Sequence, residues 1–155
     1  MLDVLAQGGI ATIEADTDPE PGPPAVDAVA LNRAGSILAT GGSDGTLRLW
    51  DVVTHRQIGA PITAVSNPSS DTGGVHALAF SPDGKIVAGG HNGVDGSIRL
   101  WDTASGERVV TLEPAGHVSS IAFGRDGKML VAGNASNGIQ LWDVSKKEFG
   151  GGNKP

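Results

Sequence analysis

"SDGTLRLWD", residues 43 to 51, returns as "VDGSIRLWD" from Val94 to Asp102 and as "ASNGIQLWD" from Ala135 to Asp143. These copies hold all three tryptophans of a 155-residue chain in which aromatic residues make up 4%. The tryptophans, at 50, 101 and 142, stand 51 and 41 residues apart, an irregularity that has to be explained before a repeat is accepted. Val26 to Trp50 and Val118 to Trp142 each span 24 residues, while Val75 to Trp101 spans 26 because "HNGVDG" carries two extra. From Trp50 to Val75 and from Trp101 to Val118 the spans are 25 and 17, so the first connection is eight residues longer. The two insertions account for the whole difference, and units that differ only by insertions form an array of one structural motif.

Each unit holds three strand-sized segments. Strand a ("VDAVAL", "VHALAF", "VSSIAF") is alternating or nearly continuous in apolar residues, as a well-buried strand is. It ends in "NRAGS", "SPDGK" or "GRDGK", where pairs such as Asp83-Gly84 and Asp126-Gly127 are expected to supply the positive φ angles of a tight hairpin. Strand b follows as "ILATGG", "IVAGGH" and "LVAGNA". Strand c closes the unit, with Leu47 and Leu49 on one face, Arg48 and Trp50 on the other, and both faces expected to be buried. "HRQIGAPI" and "GERVVTL" add a weaker strand d to the first two units, a similar piece over 8–14 precedes the first, and nothing comparable follows the third.

Composition agrees with an all-β chain. There are 24 glycines and 9 prolines, only 18% of residues are charged, and the amphipathic stretches of a helical protein are missing. The absence of cysteine removes disulfides and thiolate chemistry. The N-terminus lacks a basic start and apolar run, and no segment reaches the roughly 20 apolar residues of a membrane helix, so a cytoplasmic protein with no membrane partner is expected. A net charge of −6 without a basic cluster argues against nucleic acid as a partner.

The period, the four strands, the "SPDGK" turn and the closing "LWD" resemble the WD40 repeat family, whose units form the blades of a β-propeller. The resemblance covers about residues 8 to 143, and "HRQIGAPI" is similar to the inter-blade segment of bacterial members. It implies an N-terminal segment over 1–25 with a d-type strand at 8–14 and a Pro-rich linker. Repeats over 26–74, 75–117 and 118–143 follow, the last lacking its own strand d, then a flexible tail over 144–155. In the family a blade is braced by a His before strand a, a Ser or Thr in strand b, an Asp in the b–c turn and the strand c Trp. Carried over residue by residue, this gives Thr40, Asp44 and Trp50 in the first unit, Asp95 and Trp101 in the second with Gly89 at the hydroxyl position, and His117 and Trp142 in the third. No unit has the full set, which implies looser blades.

Propellers close with about four to eight blades, and three would leave apolar sheet faces open. Two explanations stand side by side. Either copies assemble head to tail, the 8–14 strand of one completing the last blade of the next, or further blades come from a longer chain.

No group of residues argues for catalysis. The four histidines, His55, His76, His91 and His117, sit in different contexts, with His91 expected to be solvated and His117 structural, so neither a metal nor a cofactor is expected. "GGHNGVDG" lacks a following helix and a "GK[ST]", and reads as an elongated hairpin turn. Asp51, Asp102 and Asp143 read as turn caps. In the family the d–a and b–c loops share one face, which both insertions lengthen here, so Asn67, Ser69, Asp71, His91, Asn92 and Asn134 are the candidate protein-binding residues. The expected function is a non-catalytic protein–protein interaction scaffold; the alternative is a piece of a larger bacterial signalling or sensor protein. A propeller enzyme or ligand binder would need polar residues at the inner strand ends, where Val26, Ala28, Ala77 and Ile121 are apolar.

Overall fold

The structure, a computed structural model, describes residues 25–64, 74–92, 96–113, 116–136 and 138–145. The strand expected over 8–14, the Pro-rich linker, Asn67, Ser69, Asp71, Asp95 and the tail from 146 lie outside the described residues.

Among the described residues there is no helix, and eleven strands form three antiparallel sheets. The first takes β1 (Val26–Leu31), β2 (Ile37–Gly42), β3 (Thr46–Asp51) and β4 (Arg56–Thr63) in that order. The second repeats it with β5 (Val75–Phe80), β6 (Ile86–His91), β7 (Ile98–Asp102) and β8 (Arg108–Leu112). The third holds β9 (Val118–Phe123), β10 (Met129–Asn134) and β11 (Gly138–Asp143). No sheet closes on itself, and the innermost strand β5 lies beside both β1 and β9. Three successive propeller blades are the result.

The a–b hairpins differ from the expected two-residue turn. In each, a glycine N–H returns to the carbonyl three residues back: Gly35 to Asn32 at 2.9 Å, Gly84 to Ser81 at 2.8 Å and Gly127 to Gly124 at 2.9 Å. Only the glycine has positive φ, 69°, 73° and 74°, while Asp83 and Asp126 do not. Such a loop is a turn closed by one left-handed residue, and the aspartate instead accepts from the backbone N–H two residues on, Lys85 or Lys128, at 3.0 Å.

Register explains the two buried faces. All three sheets slip by one residue at the same place: Val26 pairs with Gly42 but Ala28 with Gly41, Val75 with His91 but Ala77 with Gly90, and Val118 with Asn134 but Ser120 with Gly133. This bulge turns the first valine onto the same face as the residues three and five further on. One core then joins Ala39, Leu47 and Leu49 of the first blade to Val75, Val87 and Trp101 of the second. The other joins Ala88, Ile98 and Leu100 of the second to Val118 and Leu130 of the third. Leu47 and Ile98 are fully buried and Trp50 and Trp101 nearly so, so strand c of the first two blades is covered on both sides, as its pattern predicted, whereas in the third blade Ile139 and Leu141 are exposed because no described blade packs against them.

The residue after β11, Val144, which falls within the expected flexible tail, is buried in the second core. Its N–H donates to Lys128 O at 2.8 Å, as Val52 does to Ser36 and Thr103 to Lys85 in the other blades.

Candidate protein-binding face

The family's bracing pattern is present in part. Trp50 Nε1 donates to Thr40 Oγ1 at 2.9 Å. Asp44 does not join that pair; it accepts from Thr46 N at 3.0 Å and Thr46 Oγ1 at 2.8 Å, and meets Arg48 at 3.3 Å. In the second blade the indole ring of Trp101 fills the space beside Gly89, where a Cβ would lie 2.9 Å from its Cζ3. The ring also meets His91 edge-on at 6.3 Å. Packing has replaced a hydrogen bond.

His117, carried over from the family as a structural residue, makes its contact between loops. It is exposed, and its Nδ1 is 3.0 Å from Asn92 Oδ1, so it ties two connecting loops together rather than bracing Trp142. His91, expected to be solvated, is 3% exposed. Asn134, expected in a binding loop, is 7% exposed, and its Oδ1 accepts from Ser136 N at 2.8 Å. Both corrections have one cause. Each residue is the last of its strand b, pairing with the first valine of strand a, so ladder pairing draws it into the sheet. Burial disfavours the charged imidazolium of His91, with Arg99 and then His76 adding repulsion, and lowers its pKa to about 4. Neither ring nitrogen reaches hydrogen-bond geometry with a described residue; the backbone at Gly74 opposes the shift weakly.

The d–a and b–c loops nevertheless come together. Ala64 N donates to Gly45 O at 2.9 Å, Ser43 N to Ala25 O at 3.0 Å and Ala135 N to His117 O at 3.1 Å. Arg99 donates to Ala64 O across the first blade boundary. Gly96 packs on Gly116 so closely that a Cβ there would lie 1.9 Å from the Gly116 oxygen. Ser43, His117, Ala135 and Ser136 are exposed on this face, and Asp44 and Asn92 half-buried. Asp27 and His76, the second residues of their inner strands, flank Gly74 here, polar groups that the apolar inner strand ends read from sequence left out. Alternation signals them only once the bulge is known.

On the opposite face the aspartate of each Trp-Asp pair caps the turn after strand c. Asp51 Oδ1 accepts from Thr54 N at 2.8 Å and Val53 N at 2.9 Å, and Asp102 Oδ1 from Ser105 N and Ala104 N at 2.9 Å. The Thr54 and Ser105 N–H groups hold these carboxyls below the usual range. Among the described residues no group of three or more His, Cys, Asp or Glu side chains could hold a metal ion.

Three segments, residues 20–51, 59–102 and 106–143, match the family model for the WD domain, G-beta repeat, and each ends at the aspartate that closes a strand c: Asp51, Asp102 and Asp143. The chain belongs to the WD40 repeat family. It is 32% identical over 120 residues to protein tipD of Dictyostelium discoideum, covering 76% of this chain and 18% of that protein. It is 30% identical over 128 residues to transducin beta-like protein 3 of Rattus norvegicus, covering 79% and 15%. To the small ribosomal subunit protein RACK1y of Oryza sativa subsp. japonica it is 30% identical over 135 residues, covering 81% and 36%. These WD40 relatives are eukaryotic, and the chain spans well under half the length of each.

Proposed function

We propose that this chain is a non-catalytic scaffold whose d–a and b–c loop face binds a protein partner. The observation that carries the reading is the contact of His117 with Asn92, which locks loops on either side of a blade boundary into one surface. A rigid surface loses little conformational entropy when a partner docks. RACK1y, by its name a protein of the small ribosomal subunit, is a relative that works within an assembly, which agrees with a scaffold. The short span of each relative favours one addition, that the three blades act as part of a larger ring.

Affinity capture with the wild-type chain, an Asn92→Arg/Ser136→Arg variant of the loop face and a Lys85→Glu variant of the opposite face tests this. Partners lost with the first variant and kept with the second are expected. Partners that both variants retain, or that only Lys85→Glu loses, would overturn the assignment of the face.

A further inference from the structure

The two internal blade boundaries are one contact made twice. At the first, Val75, Leu78 and Phe80 meet Ala39, Leu47 and Leu49 of the preceding blade. At the second, Val118, Ile121 and Phe123 meet Ala88, Ile98 and Leu100. A glycine of strand b makes room for the incoming valine each time: a Cβ on Gly41 would lie 2.6 Å from Val75 Cγ1, and one on Gly90 2.5 Å from Val118 Cγ1.

Among the described residues, both halves of this contact recur uncovered on the outer faces of the first and third blades. Val26, Val29 and Leu31 hold the register positions of Val75, Leu78 and Phe80, yet they are 47%, 63% and 59% exposed. Ile139 and Leu141 hold the positions of Leu47 and Leu49, yet they are 74% and 60% exposed, with Met129 beside them at 44%. Gly133 stands where Gly41 and Gly90 stand, and the atoms nearest to a Cβ on it would be those of Ser120 and Ser119 of its own blade. The third blade keeps the glycine, and among the described residues no valine packs against it.

We propose that the open face of the third blade docks on the open first blade of a second copy of this chain, Gly133 receiving that copy's Val26, and that the reciprocal contact closes a six-bladed ring. A second copy is the occupant because one chain carries both complementary halves of a contact it already makes twice. Six blades lie within the range at which propellers close. The contact is head to tail, so it joins two different faces and closes only when each copy subtends half a turn. It is separate from the loop face, and its failure leaves partner binding there untouched.

The test is the solution mass of the full chain from about 1 to 100 µM, with circular dichroism to confirm β structure. The wild type is expected at twice 15.6 kDa. Val29→Arg and Leu141→Arg change exposed side chains, so each is expected to keep the β signal and to run as a monomer, the dissociation constant rising about a hundredfold or more. Mixed one to one, the two variants are expected to pair, since the intact first blade of one meets the intact third blade of the other. A folded wild-type monomer throughout would overturn the proposal and leave the faces to blades of a longer chain. Either variant remaining a dimer alone, a mixture that stays monomeric, a ladder of growing species, or a wild type without β structure would overturn it too.

Discussion

Trp50 and Thr40 are joined by a hydrogen bond of 2.9 Å between the indole nitrogen and the hydroxyl, in the blade whose strand c is covered on both faces. Thr40→Val keeps the shape and leaves a buried indole N–H without its acceptor. The expected loss is about 1 to 2 kcal/mol, read from the denaturant midpoint at unchanged slope. A loss below a few tenths would show that the bond contributes nothing net.

The valine-in-glycine contact predicts coupling between blades. Gly90→Ala drives a methyl into Val118 Cγ1 and Ile121 Cδ1, and is expected to destabilise by about 1 to 3 kcal/mol. Val118→Ala alone opens a cavity, but the double variant restores part of the volume. A double-mutant cycle should therefore return a favourable coupling of about 1 kcal/mol, whereas additive effects would mean the blades do not meet there.

His91 makes stability depend on pH. An unfolded histidine titrates near 6.5, but burial holds the folded imidazole neutral down to about 4. The unfolded state therefore binds the extra proton between these values. The contribution is complete above pH 6.5 and is lost as pH falls toward 4, by about 3 kcal/mol across the window. His91→Leu should flatten the slope of unfolding free energy against pH there, and an unchanged slope would assign it to other groups.

His55 occupies a left-handed position, φ 59°, where the second blade has Gly106 at 73°. Both close the same turn, with N–H groups donating to the Asp51 and Asp102 carbonyls at 2.9 and 2.8 Å. A side chain strains that conformation by about 1 to 2 kcal/mol, partly offset by the greater freedom of glycine in the unfolded chain. His55→Gly should raise the melting temperature by a few degrees and Gly106→His should lower it. Shifts of the opposite sign would contradict the equivalence of the two turns.

The repeat unit, strand alternation and hairpin positions were legible in "SDGTLRLWD" and its copies, because a period of two and a left-handed glycine are local properties. Leu47, Leu49 and Trp50 lie on the faces their alternation assigns, and Asp51 and Asp102 cap the turns they were expected to cap. Partner choice was not legible. His91, Asn92 and Asn134 look alike as polar residues of a Gly-rich stretch, yet the ladder buries the first and last and leaves Asn92 to meet His117, 25 residues away. The bulge at the start of strand a is equally silent in sequence, although it sends Val75 and Val118 into Gly41 and Gly90. Sequence by itself determined the blade, since its signals act within a few residues; tertiary structure decided which faces are buried and which polar groups meet, since both depend on contacts between strands far apart in the chain.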